Sequence, residues 1–191
     1  MSNLINKIDS IIDLLNKEMI NAEKVGMKVL IAKFTERIFN RGSASDETRI
    51  GNYSKKPIYI QANNFIKGVP IGAVKSGKNK GLYKKGPNKG NRVKGQYFKG
   101  GYYEFRKSQG FQTAFVDLEL RGDLFRSIII AEYNGHFVLG FNSIEQSKKA
   151  QGLEKHFKKT VFYPTNEEIA QAKEAASDYL KSKSLDLFNT W

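Results

Sequence analysis

The sequence predicts an α+β fold: a long N-terminal helix packed on a small antiparallel sheet with a β-hairpin, then a C-terminal helix, with a long basic insertion loop between. Three observations predict it. Leu4 to about Phe39 carries Leu4, Ile8, Ile11, Leu15, Met19, Ala22, Met27, Leu30, Phe34 and Ile38 close to helical period. Ile128–Phe141 reads as two strands around Asn134-Gly135, a dipeptide that favours the two-residue hairpin turn. Thr165-Asn166-Glu167-Glu168 is a capping box that opens a second helix running to about Lys181.

Taken in order, the first helix is interrupted by Gly26, so it is one long helix or two broken near Val25-Gly26. Its apolar stripe reads as cover for the hairpin, in preference to a coiled-coil face for a partner. Asn40-Arg41-Gly42 stops it, with Gly42 suited to the C-cap. Arg41–Ser54 is polar and turn-rich, and Pro57–Ile60 is a short strand. From Lys67 to Lys99 periodicity vanishes while Gly, Lys and Asn accumulate. Such a composition buries too little apolar surface to offset ordering entropy, which predicts an arm over 67–99 that is extended and mobile unless a partner holds it. Gly101–Lys107 is a short helix stopped by Gly110.

Thr113–Leu120 reads as a strand with Ala114, Val116, Leu118 and Leu120 on one side and Thr113, Asp117 and Glu119 on the other, wet, side. Arg121-Gly122-Asp123 is a turn. In the hairpin a two-residue loop sets Tyr133 opposite His136, Glu132 opposite Phe137, Ile130 opposite Leu139 and Ile128 opposite Phe141. One face then carries Ile128, Ile130, Phe137, Leu139 and Phe141, and the other carries Ile129, Ala131, Tyr133, His136 and Val138. Both are mostly apolar, so each needs a cover, from a helix of this chain or from a neighbouring subunit. Gln146–Phe157 is a helix weakened at Gly152, and Phe162–Pro164 separates it from the last helix. That helix presents Ile169, Ala172, Ala176 and Tyr179 or Leu180, and an apolar tail, 184–191, follows it. Ile129, Tyr133 and Val138 of the hairpin, with Leu187, Phe188 and Trp191 of the tail, are the candidate subunit-interface residues.

A chain of 191 residues, 40% of them hydrophobic, is expected to form a single domain, or one domain with a large insertion, around one core. It has no cysteine, which excludes disulfides and thiolate metal sites. The first residues lack a basic stretch followed by an apolar core, and no apolar run nears the roughly 20 residues of a membrane helix, so no membrane partner is expected. The net charge is +13, and its placement is uneven. Lys55–Gly110 holds 14 basic residues against one acidic, Glu104, while the flanks are near neutral. The basic character therefore belongs to one segment.

Catalytic patterns are missing, and the sequence predicts no enzyme, no cofactor and no resident metal. Gly72–Asn79 imitates a phosphate-binding loop, but Asn79 stands where a magnesium-holding Ser or Thr belongs, and the glycines and proline of 81–90 cannot continue as the required helix. His136 and His156 have neither metal-ligand spacing nor a nucleophile nearby. Asp117 and Glu119 share a strand face in the manner of a nuclease pair, a pattern that ordinarily marks a solvated face. What remains is the arm. Lys75, Lys78, Lys80, Lys84, Lys85, Lys89, Arg92 and Lys94, interleaved with Tyr83, Tyr97 and Phe98, are suited to neutralising phosphates and stacking on bases without sequence preference.

Several stretches resemble one family in combination: Phe34–Gly42, Ile50–Ser54, Gly100-Gly101-Tyr102 through Arg106, and Val116-Asp117-Leu118 through Gly122-Asp123-Leu124 with Ser127. Val138–Phe141, Lys149-Ala150 to Glu154 and Phe162–Pro164 fit its closing pattern. They resemble the tail-completion, or virion-morphogenesis, proteins of tailed bacteriophages, from about Phe34 onward. The resemblance implies a non-enzymatic virion protein, assembled in the bacterial host cytoplasm into a homo-oligomeric ring at the neck. Its implied partners are the portal or adjacent neck and tail proteins. The segment 67–99 departs from the family pattern in length and basicity, and implies an arm directed at a neighbouring ring or at packaged DNA in the channel.

Overall fold

A computed structural model describes residues 2–67, 69–119 and 121–189, with the side chains of all of these except 2–4 and 187–189. The fold is α+β: a long N-terminal helix, two small antiparallel two-stranded sheets and a C-terminal helix. The chain divides into two compact units, the second inserted within the sequence of the first. Residues up to Ile50 together with those from Asp117 onward make one compact unit, and Gly51–Val116 makes a second. The reason lies in the basic segment, which supplies buried anchors and an aromatic cluster of its own.

In the first unit, α1 (Ser2–Thr35) continues unbroken through Gly26. A Cβ there would lie 2.8 Å from the carbonyl oxygen of Ala172 and 3.3 Å from the Ala176 Cβ, so this glycine permits a close helix crossing and breaks nothing. The crossing partner is α5 (Asn166–Asn189). Farther along, Tyr179 Oη donates to Glu18 Oε2 at 2.7 Å; numbers fall on one helix as they rise on the other, so the pair is antiparallel. Ala22, Gly26, Leu30, Phe34 and Ile38 form the buried stripe of α1. A wider π-helical turn, Glu36–Asn40, follows, and it turns three successive residues, Arg37, Ile38 and Phe39, inward. Arg41 N–H then bonds the Glu36 carbonyl at 3.1 Å, and Gly42 sits at φ +65°, ending the helix where the sequence places its stop.

Arg37 ties this unit together and is 2% exposed. Its Nε donates to Glu168 Oε1 at 2.7 Å, and its terminal nitrogens donate to the carbonyls of Ser43, Val161 and Tyr163. Glu168 also completes the capping box: it accepts from Thr165 N–H at 2.8 Å, while its own N–H donates to Thr165 Oγ1 at 3.1 Å. Burying a charge pair is tolerable because nearly every donor is satisfied.

Strands β3 (Ile128–Tyr133) and β4 (His136–Phe141) pair in the register read from the sequence. The hairpin lies on α1, where Phe137 N–H donates to Glu23 Oε1 at 3.1 Å. The expected strand over 113–120 does not form among the described residues. Local side-chain bonds win: the Gln112 amide brackets the Phe115 backbone, and Asp117 Oδ1 accepts from Glu119 N–H at 2.9 Å with Leu118 at φ +52°. Val116 and Asp117 are consequently both buried, which no alternating strand produces. A short helix the sequence reading missed, α3 (Asp123–Ser127), follows Gly122. Helix α4 (Ile144–Phe157) starts two residues earlier than read, on Ser143, whose Oγ accepts from Gln146 N–H. Helix α5 extends to Asn189, so the expected tail is helical to that point; the side chains of Leu187 and Phe188, and all of Trp191, lie outside the described residues.

In the second unit, β1 (Ile58–Gln61) pairs antiparallel with β2 (Gly95–Phe98), and α2 (Gly101–Ser108) packs on both. Phe65, Phe98 and Phe105 meet edge-on or tilted at centroid distances of 5.3 to 6.1 Å. Arg106 is 1% exposed, its guanidinium 4.4 Å from the Tyr53 ring and 5.2 Å from that of Phe111.

Candidate functional site

The basic segment is folded into a series of hydrogen-bonded turns, not extended. Its sequence repeats every nine residues: Gly68, Gly77, Gly86 and Gly95 form one series and Gly72, Gly81 and Gly90 another. The backbone repeats with it. Ala73, Leu82 and Asn91 N–H bond the carbonyls of Pro70, Asn79 and Asn88 at 3.1, 3.1 and 2.9 Å. The glycine before each lies at φ +86°, and the residue before that glycine has negative φ, so these are three type II turns. Between successive repeats, Val74 N–H bonds the Leu82 carbonyl and Tyr83 N–H that of Asn91. Lys84 N–H bonds the Gly72 carbonyl and Val93 N–H that of Gly81, both at 2.9 Å.

The ordering entropy is met by these backbone bonds and by a few anchors. Ala73 and Val93 are buried, the Gln109 amide oxygen accepts from Ile66 and Lys67 N–H, and that of Gln96 accepts from Ile71 N–H. This corrects the expectation of an extended arm: tests at periods of 2 and 3.6 are blind to a period of nine, whereas comparing the sequence with itself at that offset finds it.

The repeat also decides where the lysines stand. Lys75 and Lys84 occupy equivalent positions, as do Lys80 and Lys89, and Lys85 and Lys94. All eight predicted contact residues, Lys75, Lys78, Lys80, Lys84, Lys85, Lys89, Arg92 and Lys94, are exposed. Lys80, Arg92 and Lys94 are among the residues lining an open cleft of about 1140 Å³ inside the second unit, with Tyr59, Tyr83 and Asn88 also on its wall. No carboxylate lines it. Glu104, the unit's single acidic residue, is occupied elsewhere, accepting from Gly100 N–H at 2.7 Å at the start of α2. Phe98, expected to face bases, is buried in the aromatic cluster. Tyr59 takes that place, a residue the sequence reading passed over. It stands opposite Tyr97 in the β1–β2 ladder, and the two are 53% and 57% exposed. Gly95 makes room, because a Cβ there would lie 2.7 Å from the Tyr59 ring.

The first unit offers a different surface. Ile5, Ile8, Ile12, Leu15 and Met19 alternate spacings of three and four, the pattern of a coiled-coil seam, and are 42 to 60% exposed. Leu14 and Ile20 beside them are exposed as well. Only the later half of the α1 stripe is therefore core cover; the earlier half is left open among the described residues, correcting the expectation for the whole stripe. Of the predicted hairpin contacts, Tyr133 and Val138 are exposed and Ile129 is half-buried.

The other candidates resolve locally. Asp117 is buried in a turn and Glu119 is exposed, so the two do not share a strand face. Among the described residues no three His, Asp or Glu side chains gather as a metal site, and no helix is long and apolar enough to cross a membrane. Comparison with protein-family models, with curated proteins and with solved structures gave no match.

Proposed function

We propose that the protein is a structural virion component of a tailed phage, acting without turnover as a head–tail joining protein that assembles into an oligomeric ring. Its partners on this reading are further copies of itself and the portal or adjacent neck and tail proteins. The observation that supports it is the open seam Ile5–Met19: a helix that exposes an apolar stripe is more stable in water when something covers it, and a like helix fits a three-four spacing best. In a ring every such contact is repeated, so modest pair affinities suffice. Native mass spectrometry tests the proposal. Closed oligomers are expected, alone or with the portal or neck protein, and paired Ile8→Asp and Leu15→Asp substitutions are expected to return the chain to monomer. A parent chain that stays monomeric with those partners present overturns it.

A second reading, sequence-nonspecific binding of nucleic acid, is favoured by one observation. The whole net charge resides in Gly51–Val116, with 14 basic residues against one acidic. Packaged DNA is the ligand that both readings share.

A further inference from the structure

The lysine side chains of the nine-residue repeat and the tyrosine pair belong to the same compact unit, and both are exposed on it. Tyr59 and Tyr97 stand directly opposite each other on the solvent side of a two-stranded sheet whose other side buries Ile60 and Phe98. Directly opposed residues of a ladder have Cβ atoms about 5 Å apart, so both tyrosines are presented on one sheet face, the Tyr59 ring lying over Gly95. Tyr59 also lines the cleft that Lys80, Arg92 and Lys94 border. Exposed aromatic faces beside a carboxylate-free cationic groove are what unpaired bases and their phosphates require together. A duplex keeps its bases stacked inside and has no use for the rings, and the carboxylates of an acidic polypeptide offer no base-sized π-face to stack on them.

We propose that Gly51–Val116 is a binding site for single-stranded nucleic acid, in which Tyr59 and Tyr97 stack on bases while Lys80, Arg92 and Lys94 neutralise the adjoining phosphates. This rests on the nucleic-acid reading and sharpens it to one strand and to named rings. Recognition is indifferent to base identity, because every base presents a π-face.

The test is fluorescence anisotropy on the full-length chain with a labelled thymidine oligonucleotide, the same length of duplex DNA and polyglutamate as competitors, over a salt series. Tyr59→Ala and Tyr97→Ala are each expected to weaken single-strand binding about tenfold, and Tyr59→Phe to restore it. Neither alanine change should alter the salt dependence, whereas Lys80→Gln and Lys94→Gln should each lower the slope by about 0.7. Both tyrosines are exposed, so circular dichroism of the variants should match the parent. Salt-sensitive binding that survives both tyrosine substitutions, or that duplex or polyglutamate displaces as well as single strand does, overturns the stacking site and leaves general polyanion binding standing. No binding at low salt overturns both.

Discussion

The two compact units solve the same problem in opposite ways. Residues up to Ile50 and from Asp117 onward carry 18 basic and 18 acidic side chains, whereas Gly51–Val116 carries 14 and one. The neutral unit is ordered by apolar stripes, a helix pair and one buried ion pair, and it leaves an apolar seam exposed from Ile5 to Met19. The charged unit is ordered over 69–94 mainly by backbone bonds in repeated turns, and what it leaves exposed is lysine. An ordering scheme based on backbone bonds frees side chains from packing duty. That is why a segment with so few apolar residues can hold a defined shape and still present charge on nearly every side.

The contrast can be tested from its strongest point downward. Arg37→Ala removes the partner of buried Glu168 and is expected to destabilise the neutral unit by about 3 to 5 kcal/mol, read by urea denaturation. A loss under about 1 kcal/mol would show that the pair does not hold the unit. Next come two glycines that look alike in sequence and differ in cause. Gly26→Ala forces a methyl against the Ala172 carbonyl, an overpacking cost of about 1 to 3 kcal/mol that should move α5 away from α1. Gly81→Ala meets nothing within 4 Å, so its cost is backbone strain at φ +86° alone, about 1 to 2 kcal/mol. Hydrogen exchange should report that loss only at amides of the repeat, from 69 to 94. If it spread to α1 and α5, the division into two units would be wrong.

Smaller effects follow. Thr165→Ala deletes one half of the capping box and should cost about 1 kcal/mol, with fraying at the start of α5. The smallest is a pH effect at the Glu18–Tyr179 contact. The hydrogen bond from Tyr179 holds the Glu18 carboxyl below its usual range, and the same bond raises the Tyr179 phenol. A lowered acid favours the fold above its unfolded value and loses that contribution as pH falls through the lowered one. A raised phenol contributes below about pH 10 and loses its contribution above that. Tyr179→Phe should flatten both arms of the stability profile, measured by thermal unfolding from pH 3 to 11.

Much of this was legible in order along the chain. Asn134-Gly135 dictated the hairpin register, because a two-residue loop leaves no choice of partner, and Thr165 to Glu168 dictated the start of α5, because a capping box satisfies backbone groups within four residues. The charge segregation and the exposure of the eight cationic side chains were legible too, since the exposure of lysine and arginine is decided by their own hydration. The strand over 113–120 was misread because alternation is necessary for a wet-faced strand but not sufficient when Gln112 and Asp117 offer the backbone closer partners.

What the sequence determined by itself, then, is whatever depends on neighbours within a few residues or on composition: turns, caps, helix periods, the charged segment, and a nine-residue repeat present in the letters. Only the tertiary structure decided which half of the α1 stripe is buried, that Gly26 serves a helix crossing, that Arg37 meets Glu168 across 131 positions, and that Tyr59 stands opposite Tyr97. These are contacts between residues far apart in the chain. Their partners are chosen by what packs and what is left unsatisfied once the whole unit closes, and no local pattern encodes that choice.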